Sequence, residues 1–334
     1  MLCAAAMLGL SGCEGASGGR PVTLADLGLP DRYSTDSTAQ PPAQAENLAQ
    51  WWRHFDDPLL NSLIERVGAA DSAANGKTGY QQTVKRIATE AAIARSYVAL
   101  RTRQAKIENI RAYLAARQDD QAIARFREEA KLVTPLDALQ IAADSDRVAA
   151  GIPVLEAAIA ADAARIAVLT GQLPAALRDQ LAPIAPVPVG PAEVTVGAPS
   201  DLINRRADVQ LAAQRVGRGK IWGGGSNGAV AAYKEVVLQT LEEVENAQTA
   251  FAAAKAREAA LEKAVDEAEQ LAVLARKQYR EGLTDHVALQ SAERALLGVR
   301  DERVGAAADR AAALIDLFTA LGGSWEPGAN DRRP

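Results

Sequence analysis

Aromatic residues make up only 4% of the 334 positions, and the chain has just two histidines and two cysteines. Large rings are what most globular cores are filled with, so a core of this size cannot be assembled from them. The 48% hydrophobic content instead leans on alanine, a strong helix former that lets helices approach closely. His54 and His286 stand far apart in sequence, which excludes a local multi-histidine metal site and offers no histidine dyad. The net charge of -5 carries interspersed signs and no basic field, so phosphate backbones find no partner here and nucleic acid is not expected to bind. No apolar run reaches the roughly 18 residues of a transmembrane helix.

Enzyme signatures are equally scarce. NGKT at 75–78 ends like a phosphate loop, but Asp71 stands where that pattern requires glycine. GRGKIWGG at 217–224 fails the dinucleotide spacing because its third glycine position is Trp222. Glu242, Glu243 and Glu245 read as a solvated helix face. Trp51 and Trp52 read as packing residues. The expectation is no enzyme, no cofactor and no metal.

What the chain does contain is long helical pattern. From Gln81 to about Glu128, and from about Ala229 to Arg280, helix-forming residues run on without an internal proline or glycine. At ~1.5 Å per residue these are rods of roughly 70 to 80 Å. In the second, Leu261, Val265, Ala268, Leu271 and Leu274 keep three- and four-residue spacing. Rods this long need lateral partners, and 135–170 and 285–321 read as return helices. Pro153 should kink or interrupt the first return.

The two halves repeat. FREEAKLVTPLDALQ (126–140) corresponds to YREGLTDHVALQ (279–290), placing Ala138-Leu139-Gln140 in register with Ala288-Leu289-Gln290. Gly282 suits a left-handed helix stop, and Thr284 or Asp285 can cap the helix that follows. The first tip has Lys131 in place of the glycine, with Pro135 available to start its return helix. Earlier in the chain, Asp57 can cap a helix opening at Pro58, whose Leu59, Leu60, Leu63, Ile64 and Val67 share one face. The proline-dense stretch 170–200 separates the halves and cannot continue a helix.

At the amino terminus, MLCAAAMLGLSGC is uncharged and apolar up to Leu10-Ser11-Gly12-Cys13, which resembles the bacterial lipobox. That reading makes 1–12 a lipoprotein signal, Cys13 an acylated anchor, and 13–47 a tether rich in Gly, Ser, Pro and Gln. Cys3 would leave with the signal, so no disulfide is implied. The plain alternative is an apolar N-terminal stretch with two incidental cysteines.

LAQWWRHFDDPLLNSLIERV (48–67), SYVALRTRQ (96–104), PSDLINRRADVQLAAQ (199–214), LEEVENAQTAF (241–251) and YREGLTDHVALQSAERALLGVRDERV (279–304) follow one another along the chain. In this order the five passages resemble the TolC-like outer-membrane efflux proteins of the NodT-type lipoprotein branch. The resemblance implies a mostly α fold of long antiparallel helical hairpins in two repeated halves, a TolC-like α-helical barrel. The halves are 48–170 and 200–326, joined by an equatorial connector at 171–199 and ended by a polar tail at 327–334. In that pattern Ser200 would cap the helix carrying Arg205, Arg206 and Asp208. It further implies a homotrimer in the outer membrane with its helices in the periplasm. Such a trimer exports small molecules or drugs passively, with a periplasmic adaptor and an inner-membrane pump. By the same resemblance the tip residues Leu132, Val133, Thr134, Gly282, Leu283 and Thr284 are adaptor-docking candidates. Closing the hairpins is the alternative role for them.

One part of that pattern is missing. Each half of such a protein carries a pair of membrane strands, and each strand takes roughly 9 to 11 residues. The corresponding places hold only GAADSAANGKTGY (68–80) and GRGKIWGGGSNG (217–228), which are short and do not alternate. The membrane β-strands are therefore expected to be absent or severely shortened. The alternative function that follows is a non-conducting periplasmic coiled-coil lipoprotein scaffold.

Overall fold

A computed structural model of the chain describes residues 33–34, 48–74, 79–131, 134–221 and 226–324. Among them the order is a 3-10 turn Trp51–Phe55, then α1 Pro58–Ala74, α2 Tyr80–Glu129, α3 Pro135–Ala149, α4 Gly151–Leu169, α5 Arg178–Leu181, α6 Pro199–Arg205, α7 Ala207–Ile221, α8 Ser226–Glu281 and α9 His286–Ala320. The described residues contain no strand, and no described helix is long and apolar enough to cross a membrane.

The two rods are α2, of 50 residues, and α8, of 56. Along α2 the buried side chains Thr83, Ile87, Glu90, Ala94, Tyr97, Arg101 and Gln104 alternate steps of four and three residues. That is a 3.5-residue seam, which keeps one face toward its partners. From Gln104 to Tyr113 the steps shorten to three, through Ile107 and Ile110. This is a local overwinding that turns the seam before Arg117, Asp120 and Ala124 continue it. Helix α2 packs against its return helices α3 and α4 and also against α9, so the two halves share one bundle.

The equatorial end holds the large side chains. Trp51 and Trp52 meet edge to face at 5.9 Å, and Phe318 lies 5.9 Å from Trp51. Around them pack Phe55, Leu60, Leu63, Ile64, Ile93, Leu100, Ile166, Leu181 and Leu314. Asp57 starts α1 as read from the sequence: its Oδ1 accepts the amides of Leu59 and Leu60 at 2.9 and 3.0 Å. The connector 171–198 is fastened to this core by side chains that reach its carbonyls. Arg101 donates to Pro183 at 2.6 Å, Gln104 to Leu181 at 3.0 Å, Lys255 to Ala192 at 3.1 Å and Arg310 to Gly190 at 3.1 Å. Such bonds satisfy carbonyls that a proline-rich segment cannot pair within itself.

Several expectations require correction. The first return is interrupted as expected, but at Ala150 rather than at Pro153, which falls in the first turn of α4, where its missing amide would have had no partner anyway. Ser200 is not the cap. Helix α6 starts from Ala198, whose carbonyl accepts the Asp201 amide at 3.0 Å while Asp201 Oδ2 accepts the Ala198 amide at 3.3 Å. The helix expected to carry Arg205, Arg206 and Asp208 is split by an extended Arg206. The spaced apolar row on α8 is not the buried one: Leu271 and Leu274 stand exposed, and the seam runs through Ala272, Ala275 and Tyr279. Glu242 and Glu243 are exposed as expected, and the half-buried Glu245 also accepts the amide of Ser34 at 2.9 Å in an exposed contact. Beside Ser34, Tyr33 is buried in the main core, so the tether touches the bundle there. Finally, 68–80 and 217–228 are mostly helical, α1 running to Ala74, α7 to Ile221 and α8 resuming at Ser226.

Candidate functional site

The hairpin tips are built by different local means in the two halves. In the second, Gly282 adopts φ 75°, and the Leu283 amide reaches back to the Gln278 carbonyl at 2.8 Å, a helix stop that suits glycine. Asp285 then opens α9 by accepting the Ala288 amide at 2.9 Å, so Asp285, rather than Thr284, is the cap. In the first, Lys131 occupies the same left-handed region at φ 57°, a conformation that strains a side-chain-bearing residue. Pro135 opens α3 there, as read from the sequence.

Of the docking candidates, Gly282, Leu283, Thr284 and Thr134 are described, while Leu132, Val133 and the anchor candidate Cys13 lie outside the described residues. The two tips abut. Arg127, one turn before the first tip, donates to the carbonyls of Tyr279 at 2.6 Å and Arg280 at 3.3 Å, and its guanidinium lies 4.7 Å from the Tyr279 ring centre. Ile123 packs into a small core of Ala275, Tyr279, Leu289 and Ala292. Around this junction Phe126, Leu136, Leu139, Leu283 and Val287 are exposed large hydrophobics. Repeat-related leucines thus differ in use: Leu289 is 0% exposed in the junction and Leu139 67% exposed outside it. Apolar surface gathered in this way marks a place of contact.

Two to three turns behind the tips lies a feature that sequence reading did not find, a buried charge cluster joining both hairpins. Arg117, fully buried on α2, donates to Glu293 of α9 at 3.2 Å, lies 3.2 Å from His286 Nε2, and stands 3.6 Å from both Asp120 and Asp144. Glu293 also pairs with Arg276 of α8. Asp144 of α3 accepts from Tyr113 and pairs with Arg294. Burial first, and the Glu293 carboxylate second, push Asp120 up to about 6, against the pull of Arg276 and Arg117. The only signal in the sequence is a recurrence of charge near each tip, on faces that could not be assigned before the helices were placed. Beyond the cluster the second hairpin is thinly packed: α8 buries no side chain from Ala259 to Leu271, nor α9 from Arg294 to Gly305. A cleft of about 300 Å³ opens beside it, between α2, α8 and α9, lined by Tyr113, Val273, Arg276, Leu297 and Arg300 among others.

No group of histidine, cysteine, aspartate or glutamate suited to hold a metal exists among the described residues. What the arrangement offers is mechanical: two long hairpins fixed to one belt, with their tips tied to each other and ringed by apolar side chains.

Residues 224–323, which are α8 and α9 with the second tip, match the family model of outer membrane efflux proteins. The outer membrane protein OprJ of Pseudomonas aeruginosa is 31% identical over 100 residues, which is 30% of this chain and 21% of that relative. The chain thus spans about a fifth of the curated relative it matches. Among solved structures, the outer-membrane channel OprN superposes with a TM-score of 0.75 at 20% identity, covering 88% of this chain and 97% of that one. VceC of Vibrio cholerae superposes at 0.67 and 20% identity, over 84% and 99% of the two chains. CmeC of Campylobacter jejuni does so at 0.69 and 11%, over 89% and 96%.

Proposed function

We propose that this chain, TolC-like in fold and carrying the outer membrane efflux segment in its second half, is the outer-membrane channel component of a tripartite efflux system. In this reading three copies set their hairpins around a common path, and solute leaves passively along it. A periplasmic adaptor docks at the tips and links the trimer to an inner-membrane pump. A lipid on Cys13 holds the amino terminus to the outer membrane, with the helices in the periplasm. The observation that carries the reading is the pair of fastened hairpins whose adjoining tips expose Phe126, Leu136, Leu139, Leu283 and Val287. An adaptor covering that surface would remove it from water.

A specific observation favours a second reading. Where the family resemblance calls for membrane strands, α1 and α7 run on as helix to Ala74 and Ile221. Only residues 75–78 and 222–225 separate them from α2 and α8 outside the described structure. Two strands and a turn need more than about twenty residues. The same hairpins would then serve a lipid-tethered scaffold that binds adaptor-like partners and conducts nothing. Single-channel conductance of the purified, lipidated protein in planar bilayers, with its oligomer size measured in parallel, separates the two. Reproducible pores from a trimer support export; a folded, helical trimer that stays electrically silent overturns it in favour of the scaffold.

A further inference from the structure

Asp120 is completely buried on α2, and neither of its oxygens accepts a hydrogen bond. Its cationic neighbour Arg117 is 3.6 Å away. The titratable and charged groups around it come from every helix packed there: Tyr113 and Arg117 on α2 itself, Asp144 on α3, Arg276 and Tyr279 on α8, and His286, Glu293 and Arg294 on α9. In charge, Arg117, Arg276, Arg294 and the solvent-facing Arg147, 3.7 Å from Asp144, stand against Glu293, Asp144 and an ionised Asp120. The hydrogen bonds of these arginines, however, go to Glu293, Asp144 and His286. An ionised Asp120 is therefore held by charge at a distance and by no donor, the costly way to bury a carboxylate. Asp120 and Glu293 lie on the same nitrogen, Arg117 Nη1, at 3.6 and 3.2 Å, so a protonated Asp120 becomes a donor with the Glu293 carboxylate beside it as acceptor.

We propose that Asp120 and Glu293 form a proton-operated latch between the two hairpins. With a proton on Asp120, α2 is hydrogen-bonded to α9; when that proton passes to water, two buried carboxylates face each other and the hairpins part more readily.

The sign follows from linkage. Asp120 binds its proton more tightly in the closed bundle, at about 6, than in water at 3.8. Closure is therefore favoured as pH falls toward 4, and that contribution is lost as pH rises through about 6. If Asp120 is solvated in the parted state, the ratio of closed to parted bundles is about tenfold greater at about pH 5 than at about pH 7.5. The latch is a property of the protomer, so it stands or falls separately from conduction.

The test is amide hydrogen exchange on the intact chain at those two pH values, corrected for the intrinsic rate. Residues 113–127 and 286–297 are compared with the equatorial stretch 91–101. The wild type should show about tenfold greater relative protection at the acid pH. Asp120→Asn supplies a donor that cannot ionise, and it should be protected at both pH values. His286→Gln should keep the wild-type response, because the proposal puts the operating proton on Asp120. Should Asp120→Asn fail to fold, Glu293→Gln removes the repelling charge and the carboxylate acceptor and should weaken the response, burial of Asp120 keeping the remainder. Protection that does not change with pH in the wild type overturns the latch. So does a full response in Asp120→Asn or Glu293→Gln, or its loss in His286→Gln.

Discussion

Replacing Asp57 by alanine should cost far more than a surface carboxylate usually does, because that side chain works in two directions. One oxygen holds the amides of Leu59 and Leu60; the other accepts the Tyr97 hydroxyl at 2.7 Å. The Tyr97 oxygen is in turn the acceptor for Arg101, at 3.0 Å. Burial, reinforced by the bond to Asp57, pushes the Tyr97 hydroxyl above its ordinary range, so it remains a donor throughout the usable pH range. Loss of the cap contributes about 1 kcal/mol. A buried hydroxyl left without its acceptor adds about 1 to 3 kcal/mol. The total for Asp57→Ala is roughly 2 to 4 kcal/mol. Asp57→Asn keeps the capping oxygen but faces the Tyr97 hydroxyl with an NH2 that cannot accept, so it should spare the cap's share of about 1 kcal/mol and lose only the hydroxyl's share. In Asp57→Ala/Tyr97→Phe the stranded hydroxyl is gone, so the double variant should lose at least about 1 kcal/mol less than the sum of the single losses. Urea unfolding followed by far-ultraviolet circular dichroism, and by the fluorescence of the buried Trp51 and Trp52, reads all of these. The reasoning fails if Asp57→Asn is as damaging as Asp57→Ala, or if the two single losses simply add.

Other substitutions probe the same structure elsewhere. Gly282→Ala forces a side chain into φ 75°, although the new methyl would meet only Arg127 at 3.8 Å; a loss of about 1 to 2 kcal/mol, seen as a lower Tm, is expected. Lys131→Gly relieves the equivalent strain in the first tip and should raise Tm or leave it unchanged, whereas a clear fall would refute the strain. Gly190→Ala would drive a methyl into Leu314 and Phe55 where the connector crosses α9, and should cost about 1 to 3 kcal/mol in the same unfolding assay. For Asp208, burial works to raise the carboxyl, but the hydrogen bonds and charge of Arg206 outweigh it and hold it below the usual range. Its stabilising contribution is therefore present above the ordinary carboxylate range and lost as pH falls through the lowered value. Asp208→Asn should flatten the acid end of a Tm against pH profile.

Much of the fold was legible because it rests on local chemistry. Uninterrupted helix formers gave α2 and α8 to within a few residues, and Gly282, Asp57 and Asp285 announced their turns and caps. The register of the α8 seam was not legible. Leucine spacing identifies an apolar face only when the partner helix sits on that face, and here Ala272 and Ala275 are buried while Leu271 and Leu274 face outward. The break at Ala150 was placed three residues late because proline is tolerated in a first turn. Of the candidate site, the tips could be read as turns. The charge cluster could not, since Arg117, Asp144 and Glu293 come from three helices and become neighbours only in the bundle. The end of α1 and the start of α8 were hidden by glycine-bearing stretches, where intrinsic propensity argues against the helix that tertiary context imposes.

The fastening of the hairpins at two levels governs how they can move. At the equator Arg101, Gln104, Lys255 and Arg310 grip the connector; near the tips Arg117 and Arg127 bind one hairpin to the other. Between those levels α8 and α9 have long stretches with no buried side chain. The second hairpin is thus held tightly at both ends and more lightly over its span, where polar ties such as Asn109 to Asp301 at 2.9 Å and Arg300 to Glu269 at 2.6 Å stand in for a buried seam, and bending is expected to concentrate there. A push on the tips is taken up as curvature along the middle of the rods and released elastically, while both clamps keep their register. A displacement at the tips therefore reaches the belt as bending strain in α8 and α9, without any helix having to slide past its neighbour.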